Sequence, residues 1–63
     1  MQTSEASKYV GQNVSIEYIA SNGIPLFHEG RVRLVKMYLH LETPSRRIYK
    51  IRVTNIKAIK RTN

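Results

Sequence analysis

The chain has 63 residues, 41% hydrophobic and 24% charged, with no cysteine. At that length it folds as one domain around one core, and it has no thiol for disulfides, Cys-based zinc sites or nucleophilic catalysis. Eleven Lys and Arg against four Glu give a formal net charge of +7 and a pI near 10.3. The excess lies in the second half. Residues 1–30 hold Lys8 against Glu5, Glu17 and Glu29, a balance of −2, whereas residues 31–63 hold ten bases against Glu42 alone, a balance of +9. Such asymmetry points to a polyanionic partner, most often nucleic acid and less often an acidic protein or a membrane surface. No run approaches the roughly 18 consecutive apolar residues of a membrane span. Met1 to Ser7 lacks the basic start and apolar core of a signal peptide, so no membrane and a cytoplasmic location are expected.

Residues 1–8 are mostly small and polar, and are expected as a flexible tail or a helical turn capped by Ser4 or Thr3. Residues 9–60 form the single domain, and 61–63 a closing tail. From Asn13, Val14, Ile16 and Tyr18 alternate with Ser15 and Glu17, the pattern of a half-buried strand. Asn22-Gly23 signals a type I′ hairpin turn, in which both central residues take positive φ. Pro25 confines the start of the returning strand to an edge or bulge, and Gly30 marks a bend in it.

The apolar phase then flips. Val32 and Leu34 occupy even positions, while Val35, Met37, Leu39 and Leu41 occupy odd ones, with Lys36, Tyr38, His40 and Glu42 between them. A slip of one residue reverses every face, so a bulge or tight turn is required near Leu34-Val35; a sharp bend joining two strands is the favoured form. Thr43-Pro44-Ser45-Arg46 is the next turn. Tyr49, Ile51 and Val53 make a further strand, Thr54-Asn55 interrupts it, and a 3₁₀ turn leading into a short last strand fits the end of the chain. Short, strongly bent strands in so few residues predict an all-β fold: a five-stranded SH3/Sm-like small barrel. The alternative is an open antiparallel sheet completed by a partner subunit, because a core this small is marginal alone.

Catalysis is not expected. Glu5, Glu17, Glu29 and Glu42 are scattered, and no pair is placed as acid and base. His28 and Glu29 are strand neighbours and point to opposite faces. His40 and Glu42 share a face, but two ligands fall short of a metal site, so no metal or other cofactor is expected. Gly11, Gly23 and Gly30 are isolated and form no phosphate loop. The basic residues are the stronger lead. If the strand of Arg31 and Arg33 neighbours that of Lys50 and Arg52, four cationic groups share one face and attract phosphate. Tyr18 and Tyr49 are in phase with the core. Tyr38 is out of phase with Met37 and Leu39 and is the best candidate to stack on a base, while Phe27 is either core or an exposed platform.

Met37-Tyr38-Leu39-His40-Leu41, followed after a turn by Arg47-Ile48-Tyr49-Lys50-Ile51, resembles the core of a WYL domain, with Met37 where that family carries Trp. Ile16-Glu17-Tyr18, Asn22-Gly23 and Arg31-Val32 are similar to the family's opening hairpin and second strand. The resemblance covers roughly Asn13 to Ile59. It implies an Sm-like, SH3-type barrel that binds nucleic acid or nucleotide ligands through basic residues, with Arg31, Tyr38 and Arg47 facing the ligand. The expected function is binding of single-stranded DNA or RNA, as a regulator or accessory factor, through Arg31, Arg33, Tyr38, Arg47, Lys50 and Arg52. The alternative is a small phage- or plasmid-type regulator that docks on an acidic host protein. A homo-oligomer whose edge strands pair between copies is a third expectation.

Overall fold

The structure is a computed structural model and describes residues 1–62. The alternating segments form five strands: β1 Asn13–Ile19, β2 Pro25–Val35, β3 Tyr38–Glu42, β4 Ile48–Arg52 and β5 Ile56–Arg61. All pairings are antiparallel, in the order β4-β3-β2-β1-β5. A short helix, α1 Thr3–Ala6, and a 3₁₀ turn, Ser7–Tyr9, precede the sheet; a second 3₁₀ turn, Val53–Asn55, links β4 to β5.

The expected closed barrel is corrected to an open, curled sheet. β4 pairs with β3 and β5 with β1, and no ladder joins β4 to β5 among the described residues. The curl comes from β2, whose first part pairs with β1 from Pro25 to Arg31 and whose last part pairs with β3 from Arg31 to Val35. The first part of β2 therefore has one free side, which is where Pro25 is tolerated. Gly30 sits at the changeover. A Cβ there would run into the main-chain carbonyl of Glu42 and lie 3.2 Å from the Leu41 side chain, so the bend requires a residue without one.

The phase flip near Leu34 has two parts. A bulge comes first: Val32 faces Leu41 and Leu34 faces His40, leaving Arg33 as the extra residue. The chain then turns at Lys36-Met37, with the Lys36 N–H donating to the Tyr38 carbonyl at 3.1 Å. Met37, expected within an alternating strand, lies in this turn and is 69% exposed. A second bulge explains the closing segment. Ile16 faces Ile59 and Tyr18 faces Ile56, so one extra residue on β5 lets two isoleucines three positions apart both point inward.

Ala6, Val14, Ile16, Val32, Leu39, Leu41, Ile51, Val53, Ile56 and Ile59 form the core. Of the two forms expected for residues 1–8 the helical turn is the one present, and fully buried Ala6 ties it to the domain. Gln2, not Ser4 or Thr3, caps α1, and its N–H donates to the Glu5 carboxylate at 3.4 Å. The expected tail at 61–63 is shortened too, since Arg61 pairs with Val14 and the Thr62 N–H donates to the Asn13 carbonyl at 2.9 Å. Asn63 lies outside the described residues.

The first hairpin departs from type I′. Gly23 has φ +83° and Asn22 is not in the positive-φ region. The Gly23 N–H donates to the Ala20 carbonyl and the Ala20 N–H to the Ile24 carbonyl, both at 2.9 Å, and the Asn22 side chain accepts from the Ile24 N–H at 3.1 Å. This is a three-residue loop with one left-handed position, for which glycine suffices. The β3–β4 loop repeats it: the Arg46 N–H donates to Thr43 and the Thr43 N–H to Arg47, again at 2.9 Å, but the left-handed position is Arg46, at φ 66°.

Candidate nucleic-acid interface

Directly paired residues on antiparallel strands point to the same face. Val32–Leu41 and Leu39–Ile51 are inward pairs, so Arg31–Glu42, Leu34–His40, His40–Lys50 and Tyr38–Arg52 face outward. The outer face of β2, β3 and β4 thus carries Arg31, Lys50, Arg52 and Tyr38, and the bulge adds Arg33 to it. β3 lies between the two basic strands, so the condition that they be neighbours is not met, and the four bases share the outer face across β3 instead. The intervening strand contributes Tyr38, His40 and Glu42 to the same surface, opposite Arg52, Lys50 and Arg31 respectively.

Charge on this face is not uniform. Arg33 lies 3.6 Å from the Glu42 carboxylate, with side chains 55% and 32% exposed. A surface pair of this kind contributes about 0–1 kcal/mol, so Glu42 competes only modestly with a phosphate for the guanidinium. Lys50 and Arg52 have no carboxylate within ion-pair distance among the described residues. Arg47 sits in the loop before β4, exposed and away from the sheet's centre, and joins the group only at its margin. Tyr38 is 41% exposed, as its phase predicts. The acids Glu17 and Glu29 lie on the outer face of the other half of the sheet, with Phe27, which is 65% exposed and pairs with Glu17. Lys60 of β5, paired with Ser15, shares that face, so it carries both signs of charge, whereas the face of β2, β3 and β4 is mainly basic.

Inward, Tyr18, His28 and Tyr49 stack at the margin of the core. The His28 ring lies 4.1 Å from the Tyr49 ring and 5.6 Å from the Tyr18 ring, with interplanar angles of 21° and 26°. Burial raises the Tyr18 hydroxyl above its ordinary value of 10.0, and the neighbouring Tyr49 adds to the shift. His28 and Glu29 point to opposite faces, as strand alternation requires. No cluster of three metal-ligating side chains occurs among the described residues. Among the described residues no helix is long and apolar enough to cross a membrane.

One aromatic–cation contact escapes the local pattern. The Arg61 guanidinium carbon lies 6.0 Å from the centre of the Tyr9 ring, brought there because β5 returns beside β1. Nothing near Tyr9 in the chain signals it. A second feature is also nonlocal: a groove of about 360 Å³ between the end of the β1–β2 hairpin and β4, in which Tyr18 and Asn55 join Tyr38, Lys50 and Arg52. Comparison with known proteins finds no matching family model, no matching curated protein and no matching solved structure.

Proposed function

We propose that this protein binds single-stranded nucleic acid, DNA or RNA, as a small regulator or accessory factor, without catalysing a reaction. The observation that carries the proposal is the outer face of β2, β3 and β4, where Arg52 and Lys50 stand beside the exposed Tyr38 at one end and Arg31 and Arg33 stand beside Glu42 at the other. Binding is mainly electrostatic, with phosphate neutralised by the bases and counterions released, and Tyr38 adds a stacking surface. The resemblance to WYL domains belongs to this proposal, supported by the exposure of Arg31, Tyr38 and Arg47. So does an SH3/Sm-like topology, supported by the strand order and the 3₁₀ turn between β4 and β5.

Replacing Arg31 and Arg33 together with Ala tests the face. Affinity for labelled single strands should fall alike for all sequences, and the salt slope should flatten by roughly 0.7 for each phosphate that is no longer neutralised. Unchanged affinity would put the binding surface elsewhere. A second reading, docking on an acidic protein, draws on Leu34 and Ile48, which are 42% and 50% exposed on the same basic face. It predicts a pull-down partner that survives nuclease treatment. Pairing of the free β4 and β5 edges between copies would appear as a homo-oligomer in light scattering.

A further inference from the structure

We infer that the groove beside β4 holds one unstacked nucleotide of the bound strand, its phosphate on Lys50 and Arg52 and its base on Tyr38. The inference rests on the nucleic-acid reading above and says where a base, as distinct from the backbone, is held. One wall of the groove is β4, whose far side no strand covers, with Tyr38 of the adjacent β3; the other wall is the hairpin end, with Tyr18, Ser21 and Leu26. Its volume of about 360 Å³ has room for a planar base and part of its sugar.

Three independent features suit that ligand. First, Lys50 and Arg52 bring two positive charges to the groove, with no carboxylate among its lining residues. Second, the β4 backbone is polarised toward it. The Val53 N–H donates to Met37 at 3.1 Å and the Thr43 N–H donates to Arg47 at 2.9 Å, so the odd-numbered residues of this strand face β3. By alternation, the N–H and C=O groups of Lys50 and Arg52 point away from β3, toward the uncovered side. They offer donors and acceptors to a base edge or a sugar. Third, Tyr38 opposite Arg52 supplies an exposed ring, and the Tyr18 hydroxyl and Asn55 amide take part in none of the side-chain hydrogen bonds among the described residues.

An extended acidic peptide laid against β4 would use the same backbone groups. The exposed Tyr38 ring in the lining favours a base, because a peptide strand needs the edge but no aromatic stacking partner.

The test compares two labelled strands of equal length and charge, an oligothymidine 12-mer and its fully abasic counterpart, by fluorescence anisotropy over a salt series. Stacking of one base is expected to make the abasic strand roughly five- to hundred-fold weaker, with the same salt slope for both. Tyr38→Ala should remove most of that difference and leave the slope unchanged, while Tyr38→Phe should keep it. Tyr38 is an exposed side chain, so both variants are expected to fold, which circular dichroism checks. Equal binding of both strands by the wild type would overturn the base site while leaving the electrostatic reading intact. Failure of both strands, and of an oligouridine 12-mer run beside them, to bind would remove both proposals. A strand carrying 5-iodouracil should crosslink at Tyr38 or Tyr18; crosslinking at Phe27 on the opposite half of the sheet would overturn the placement.

Discussion

Glu42 and Arg33 show how single side chains tune the basic face. Their contact at 3.6 Å partly occupies the guanidinium, so Glu42→Gln should free Arg33 for phosphate. The expected outcome is tighter binding of single strands and a salt slope steeper by roughly 0.7, measured by anisotropy. Tyr18 carries a pH signature of its own. Its folded-state value is raised, first by burial and then by Tyr49. Stability from this group is therefore fully present below the ordinary phenol value of 10.0 and is lost as pH rises through the raised one. Tyr18→Phe should lose less stability than the wild type between about pH 8 and about pH 11, read from urea midpoints. Arg46 holds a left-handed backbone position that glycine fills in the equivalent loop of the first hairpin. A non-glycine residue there costs of order 1 kcal/mol.

Among the elements, β2 decides the shape of the sheet. Its continuity from Pro25 to Val35 lets one strand serve two three-stranded halves, and Gly30 lets it turn sharply between them. Gly30→Ala places a methyl group against the Glu42 carbonyl, which is main chain and cannot swing away. A loss of roughly 1–3 kcal/mol is expected from that overlap, measured by urea denaturation; a neutral result would mean that β2 and β3 separate easily at this point. The bulge at Arg33 matters as much. It places Arg33 and Leu34 on the same outer side, so a basic and an apolar side chain stand together beside β3.

At the scale of the molecule, ten of the described residues, from both halves of the sheet, from α1 and from the 3₁₀ turn before β5, form one core. A domain of this size rarely exceeds about 3–5 kcal/mol of stability. Leu41→Ala removes a fully buried side chain from its centre and should cost about 2–5 kcal/mol. Thermal and urea unfolding should then show midpoints shifted well down, with little stability left at room temperature.

The amino-acid sequence by itself determined the strands at Val14–Tyr18 and Tyr49–Ile51, the outward face of Tyr38, the opposed faces of His28 and Glu29, and a basic second half. These are properties of one segment, and side-chain alternation reports them directly. Tertiary structure alone decided the rest. β3 separates the two basic strands, β4 and β5 stay apart, Ala6 enters the core, His28 lies between two tyrosines, and Tyr18 faces Lys50 and Arg52 across the groove. Alternation is blind to strand order and curvature, which arise from contacts between segments distant in the chain. Where bulges break the period, at Arg33 and in β5, the pattern shows that something shifts, and the facing strand shows which residue moved.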